Sequence, residues 1–215
     1  MIFIVIILAG MIGAGKTSYT EKISEALGTD AFFEPVDENP ILDKYYENQE
    51  RYGFSLQIYF LNKRFRLIKE AYHRDNNVLD RSIYEDALFT KINLDNGNIS
   101  VEEYEIYLDL LDNMMQEIEG LPKKAPDLLI YLDGSFEKIL SNIKRRGRVY
   151  EQPTEENGLM DYYRQLHEEY EGWYESYNYS PKVSIDIDRY NIIDNEEDWK
   201  EVYGLIIKKL DELKA

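Results

Sequence analysis

The chain has no cysteine and only two histidines, His73 and His167, among its 215 residues. Without cysteine there is no disulfide framework, no thiol nucleophile and no cysteine-held metal. With both histidines at positions expected on helix surfaces, Ser-His-Asp catalysis and histidine metal sites are disfavoured. Positive charge is also scarce: 25 Lys and Arg stand against 42 Asp and Glu, a formal net charge of −17. A surface this acidic repels nucleic-acid polymers and anionic membranes. The apolar run Ile2–Ala9 has no basic lead-in. It is too short to cross a bilayer and badly flanked for a secretion signal. The N-K-x-D string by which regulatory GTPases read guanine does not occur. These absences point to a soluble, cytoplasmic protein whose partner is a small molecule.

What is present begins directly behind that apolar run. Gly10–Thr17 reads G-M-I-G-A-G-K-T, the G-x-x-x-x-G-K-[ST] pattern of a turn that leaves a strand and opens a helix. Backbone N–H groups along Gly10, Gly13, Ala14, Gly15, Lys16, Thr17 and Ser18, with the positive helix end, would cradle phosphates. Lys16 would reach the outer phosphates, and the Thr17 hydroxyl would ligate Mg2+. The expectation is a site for a nucleoside triphosphate.

The chain then alternates strand and helix. Ile2–Ala9 has the composition of a strand buried on both faces. A helix is expected from Lys16 to Leu27, closed by Gly28. Ala31–Glu34 reads as a strand ending at Pro35, which sets Glu34 at a strand end facing the ligand crevice. Apolar residues from Phe54 to Tyr72 recur at helical spacing. Gln57 and Arg64 project from one flank of that helix, at the border of core and solvent, and suit recognition of a flat polar ring. Asn76–Asp80 is a third strand. Ser82–Glu85 is a capping box that starts a helix at about Ile83, placing Asp80 and Arg81 at the sheet edge shared with Lys16. There Asp80 can hold a metal as a Walker-B-type carboxylate does. Asp86 falls one turn into the new helix.

A second capping box, Ser100–Glu103, opens a helix with a stripe at Tyr104, Leu108, Leu111, Met115 and Ile118. Its other side is partly apolar too (Ile106, Leu110, Met114), as in a helix packed against a neighbour or another subunit. Asp127–Leu132 and Val183–Ile187 are the fourth and fifth strands, and Glu196–Leu213 closes the chain as an amphipathic helix. Between them, K-R-R-G-R at 144–148 places a glycine at a helix end amid arginines, suited to a mobile cationic flap. One domain spanning 1–215 is expected, an α/β three-layer P-loop fold with a five-stranded parallel sheet, helices on both faces and an arginine-rich lid at about 145–155.

G-M-I-G-A-G-K-T, E-P-V with N-P after it, Y-Y-E-N before F-S-L-Q, L-D-R-S and R-R-G-R-V-Y-E-Q together resemble the deoxyribonucleoside kinases. The variants D-R-S-I-Y-E-D and E-x-V-D-x-N-P look most like the bacterial deoxyadenosine and deoxyguanosine kinases. The resemblance implies transfer of the γ-phosphoryl of ATP, with Mg2+, to the 5′-hydroxyl of a deoxynucleoside, deoxyadenosine first, with deoxyguanosine or deoxycytidine as further acceptors. By the matching motifs, Glu34 resembles the general base and Arg81 the arginine at the 5′ end and the transferring group. Asp80 resembles the acidic residue on the magnesium side. Gln57 resembles the base-pairing amide, while Arg64 and Asp86 fall at further base-edge contacts. Tyr46 and Glu151 match a pair that binds the sugar 3′-hydroxyl, and Arg146 and Arg148 match the flap arginines. Asn142 stands where the family often has a basic residue, and Val149 and Tyr150 where it often has an acidic one.

Two rival readings make different demands. A thymidylate-type nucleoside-monophosphate kinase needs cations for an acceptor phosphate. Between Glu34 and Glu50 the chain offers one lysine against six carboxylates, which suits an uncharged sugar better. A nucleotide-binding module without turnover has no need of Glu34 and Arg81 beside the γ-phosphate. The two apolar sides of the Ser100–Glu119 helix favour a homodimer, or a heterodimer with a related subunit.

Overall fold

The structure, a computed structural model, describes residues 4–34, 36, 38–74, 76–121 and 125–213. Strand β1 (Val5–Ala9) is buried along its whole length, as its unbroken aliphatic composition requires. Ile2 and Phe3, expected to begin it, lie outside the described residues. β1 pairs in parallel with β3 (Asn77–Asp80) on one side and β4 (Leu128–Asp133) on the other. β2 (Asp30–Phe32) extends the sheet beyond β3, and β5 (Lys182–Asp186) beyond β4, both in parallel. The order is therefore β2-β3-β1-β4-β5.

Successive residues of β1 enter different cores, as the two-residue period of a strand dictates. Ile6 and Leu8 pack with Tyr19 and Ile23 of α1 (Lys16–Leu27). Val5 and Ile7 pack with Leu61, Ile68 and Tyr72 of α3 (Gln49–Arg74) and with Tyr107 and Ile118 of α5 (Val101–Glu119). Helices thus cover both faces. From β1 the chain goes to the edge strand β2 and returns to β3 beside β1, then crosses to the other side for β4 and β5. Such a reversal opens a crevice at the carboxyl ends of the central strands, where open α/β sheets bind ligands.

Several local expectations shift. β2 stops at Phe32, so Glu34 follows the strand instead of ending it; Pro35 lies outside the described residues. α2 (Leu42–Glu47) has no counterpart in the periodicity, because with only Leu42 and Tyr45 buried it is too short to show a stripe. α3 begins at Gln49, ahead of Phe54, where the Asn48 side chain accepts the Arg51 N–H at 2.9 Å as a cap. The Ser82 box starts a short 3-10 helix, Ile83–Glu85, before α4 (Asp86–Asp95), so Asp86 opens α4. On α5 the packed face is Tyr107 and Ile118 flanked by Leu110, Leu111, Met114 and Met115. Leu108, expected in the core stripe, is exposed, as is Ile106. The helix seats on α3 between the two apolar sides, a choice that periodicity cannot rank. α6 (Phe136–Arg146) ends at Gly147 in the left-handed conformation, and α7 (Leu159–Ser176) and α8 (Glu196–Glu212) complete the chain.

Candidate active site

The loop from β1 to α1 needs its glycines for two different reasons. A Cβ on Gly10 would come within 2.9 Å of the Leu132 carbonyl, and one on Gly13 within 2.7 Å of the Ile143 side chain. Both residues also take positive φ, 142° and 87°, open to glycine at little cost. Gly15 caps α1 with no side chain bonded to the helix N–H groups, so the donors of the first turn are left to a ligand. Lys16 folds back along the loop, donating from Nζ to the carbonyls of Gly10 (2.7 Å) and Met11 (2.9 Å). Burial and the nearby Arg81 charge push its pKa down to about 7, against the opposing pull of Glu85, Asp80 and Glu34. The Thr17 hydroxyl donates to Asp80 Oδ2 at 2.6 Å. Burial raises the Asp80 pKa despite the Lys16 charge and the Thr17 bond.

At the far side of the crevice, Glu34 leaves β2 and its carboxylate lies between two arginines, with a side-chain exposure of 11%. Arg64 donates to Oε1 from Nε at 2.9 Å and again from Nη2. Arg81 donates from Nε to Oε2 at 3.2 Å. Burial alone would raise the Glu34 pKa, but Arg64 and then Arg81 outweigh it and hold the carboxyl below its ordinary value. The remaining Arg64 nitrogen, Nη1, pairs with Asp86. Each nitrogen of that guanidinium therefore faces a carboxylate, with one N–H of Nη1 and one of Nη2 to spare. Gln57, two helical turns away on the same flank of α3, is 5% exposed and bonds to no other side chain among the described residues. Gln57 and Arg64 are thus buried against the cavity, a correction to their expected place at the solvent border. The flank is covered because β2, α2 and α4 close over it.

At the third wall stand the residues after α6. Glu151, 3% exposed, pairs with Arg146 and lies 3.4 Å from Arg148 Nη1. Its backbone carbonyl accepts the Tyr163 hydroxyl at 2.9 Å. Tyr46 rests its ring on Tyr150, centroids 5.4 Å apart. Asn142 donates to the Gly13 carbonyl at 2.9 Å, so it braces the loop.

These groups surround one cavity of about 610 Å³. Gly13, Gly15, Lys16, Thr17, Ser18, Glu34, Tyr46, Gln57, Arg64, Asp80, Arg81, Arg146, Arg148 and Glu151 all line it. Gly10, Ala14 and Asp86 do not. The Gly10 and Ala14 N–H groups are bonded within the protein, to Glu85 and to the Met11 carbonyl, and Asp86 lies behind Arg64, 1% exposed, instead of at the wall where a base edge would meet it. The cavity also has apolar walls that the sequence did not announce: Leu56, Phe60 and Phe89, with Tyr45 and Tyr162. In the sequence these are indistinguishable from core positions. The Arg81 guanidinium lies 4.8 Å over the Phe89 ring, and that of Arg64 4.8 Å over Phe60, so aromatic faces steady both cations. Glu85, legible only as a cap, is fully buried at the root of the loop. His73 is exposed and His167 bonds a backbone carbonyl, as surface-helix histidines do.

A phosphate cradle facing a ring-sized slot, with a carboxylate and an arginine between, is what phosphoryl transfer to a small alcohol needs. Comparison with known proteins agrees. The family description "Deoxynucleoside kinase" matches residues 6–210. The chain is 52% identical over 209 residues to a deoxyguanosine kinase of Lactobacillus johnsonii, covering 97% of this chain and 93% of that one. It is 49% identical over 209 residues to a deoxyadenosine kinase of Lactobacillus acidophilus, covering 97% of each. The solved deoxyadenosine kinase from M. mycoides with bound dATP superposes with a TM-score of 0.79 at 31% identity, covering 94% of this chain and 98% of that one. The chain belongs to the deoxynucleoside kinase family.

Proposed function

We propose that this kinase moves the γ-phosphoryl of ATP onto the 5′-hydroxyl of a purine deoxynucleoside, deoxyadenosine before deoxyguanosine, with the chain acting as one domain. The 5′-oxygen forms its bond to the γ-phosphorus as the bond to the β,γ-bridging oxygen breaks, and the hydroxyl proton passes to Glu34. A carboxylate held at low pKa by two arginines is a weak base. That suffices where the transition state is loose and little proton removal is needed before the phosphoryl group is in flight. Arg81, already on Glu34, stands where it would meet the 5′ end and the transferring group. Lys16, Arg146 and Arg148 supply positive charge where it builds on the phosphate oxygens. The segment 145–155 is read as a lid whose arginines trade Glu151 for phosphate, leaving Glu151 and Tyr46 for the sugar 3′-hydroxyl.

Thr17 and Asp80 form an all-oxygen pair at the cradle, the donor set Mg2+ prefers when it keeps most of its waters. Among the described residues no group of three or more acidic or histidine side chains competes for a metal. Bound there, Mg2+ would neutralise phosphate charge.

The order of bases rests on one observation: Arg64 is held in place by Glu34 and Asp86, while the Gln57 amide lines the cavity with no side-chain bond among the described residues. A guanidinium reads guanine O6 and N7, whereas a glutamine amide reads adenine N6 and N7. With Arg64 engaged by Glu34 and Asp86, the amide is the available reader. The similar Lactobacillus enzymes include both deoxyguanosine and deoxyadenosine kinases, so the pocket carries the argument. Rates with the four natural deoxynucleosides test it. Deoxyguanosine ahead of deoxyadenosine overturns the order, and thymidine as best acceptor overturns the purine reading.

We also infer a cytoplasmic dimer, formed through the exposed apolar residues Val101, Ile106 and Leu108 of α5. No described helix is long and apolar enough to cross a membrane. A monomeric mass by light scattering at micromolar concentration rejects the dimer.

A further inference from the structure

Glu85 is a fully buried carboxylate for which the transfer step above has no use. Its Oε2 accepts the Gly10 N–H at 3.1 Å and the Tyr170 hydroxyl at 2.8 Å. Its Oε1 accepts the Ser82 N–H at 3.2 Å and lies 3.6 Å from Arg81 Nη1. The first glycine of the phosphate loop, the turn that carries Arg81, and α7 therefore meet on one side chain. A capping box needs only the bond to Ser82. The second box shows this: Glu103 accepts the Ser100 N–H at 2.8 Å, Ser100 accepts the Glu103 N–H at 3.2 Å, and Glu103 holds no other described residue.

The remaining contacts all concern the geometry of transfer. Gly10 is gripped at both polar atoms, its N–H by Glu85 and its carbonyl by Lys16 Nζ. The Tyr170 hydroxyl also lies 3.0 Å from that carbonyl. It has one proton for two oxygens, and the bond to the carboxylate is the stronger because it is charge-assisted. Burial, then the Glu85 charge, raise the Tyr170 pKa well above its ordinary value, so the proton stays available. Arg81, on the other arm, takes φ 85°, a conformation a non-glycine residue keeps only when its surroundings impose it. The ion pair with Glu85 and the bonds to Glu34 and Tyr170 impose it.

We propose that Glu85, with Tyr170 as its partner, is a positioning residue for phosphoryl transfer: it ties the phosphate loop to the Arg81 turn and so sets the separation of donor phosphates from the Glu34–Arg81 pair. The proposal rests on the reading of the cavity as the transfer site. A glutamine at position 85 keeps the shape but has one acceptor oxygen, so its NH2 must face either Ser82 N–H or the Gly10 and Tyr170 donors.

The test is steady-state kinetics with ATP and deoxyadenosine varied in turn, alongside thermal melts, on Glu85→Gln, Tyr170→Phe and Glu103→Gln. Misplacement of the donor predicts a kcat lower by about 10- to 100-fold in Glu85→Gln. The KM for ATP should rise while that for deoxyadenosine stays within about twofold, because Gln57 and the apolar walls are untouched. Tyr170→Phe, which loses the bond to Glu85 and the longer one from Arg81, should lose about three- to tenfold in kcat. Glu103→Gln should lower Tm and leave kcat and both KM values as in the wild type. If Glu85→Gln and Tyr170→Phe lower Tm alone, with kcat and the ATP KM unchanged, Glu85 is a cap and the proposal is overturned. Should Glu85→Gln fail to fold, Tyr170→Phe decides by the same criterion. A wild type that phosphorylates no deoxynucleoside overturns the transfer reading and this proposal with it; an active wild type matched by Tyr170→Phe overturns this proposal alone.

Discussion

The two ends of the cavity are built from different materials. At the phosphate end the groups read as binding are mostly backbone N–H donors of the loop and of the first turn of α1, fixed by glycine geometry and by the helix that follows. At the acceptor end they are side chains, Glu34 beyond β2, Gln57 and Arg64 on α3 and Arg81 beyond β3, with Asp86 at the start of α4 behind Arg64. Backbone donors need no counter-charge and change little when a side chain is replaced. Apart from Gln57, the acceptor groups are charged and held by ion pairs with one another and with Glu85. Arg64 bridges Glu34 to Asp86, and Arg81 bridges Glu34 to Glu85. The phosphate end is thus robust and general, whereas the acceptor end is tightly coupled and specific.

The contrast is tested most severely at Glu34. Glu34→Gln should lower kcat by about 10²- to 10⁴-fold, as loss of a general base does, with the calorimetric Kd for deoxyadenosine changed by less than about threefold. Equal losses in binding and turnover would make Glu34 a binding group. Next, Arg64→Gln leaves Asp86 buried without its counter-ion and should cost about 3–5 kcal/mol of stability in denaturant unfolding. The same variant carries a pH signature. Arg64 helps hold the Glu34 pKa below its ordinary value, so wild-type kcat/KM should persist to low pH and fall only as Glu34 protonates. Removing Arg64 should move that acid limb upward. A limb that stays put would mean Arg81 alone sets the Glu34 charge.

Gln57→Leu should lower kcat/KM for deoxyadenosine by about 1–3 kcal/mol equivalent, the worth of a paired base edge, and leave the ATP KM alone. A matching loss with ATP would show that the two ends are not separable. The smallest effect belongs to the phosphate end. Asn142→Ala removes one bond to the Gly13 carbonyl and should raise the ATP KM by only a few-fold, about 1 kcal/mol.

How much of this was legible follows the same division. Glycine spacing, the flanking apolar run and Lys16–Thr17 announced the phosphate loop, because all its parts are neighbours in the chain. Asp80 and Arg81 were placed correctly by the capping box behind them. Glu34 was placed near the crevice although its strand ends at Phe32. Gln57 and Arg64 were picked out by their shared helix flank, but their burial was not, since it depends on α2, which leaves no periodic trace. Asp86 looked like a partner for the base and instead backs Arg64. Glu85 was recognised as half of a capping box, and nothing in Ser82–Glu85 distinguishes it from Ser100–Glu103.

The order of residues along the chain alone determined the parallel sheet, the phosphate cradle and the inventory of charged groups around it, because strand periodicity, glycine φ preferences and helix capping all act over a few residues. Which carboxylate meets which arginine was decided only in three dimensions. Glu34, Arg64 and Arg81 each have two partners of opposite charge, and Glu85 and Asp86 one each. Burial makes those pairings obligatory, and the packing of β2, α3 and α4 selects among them.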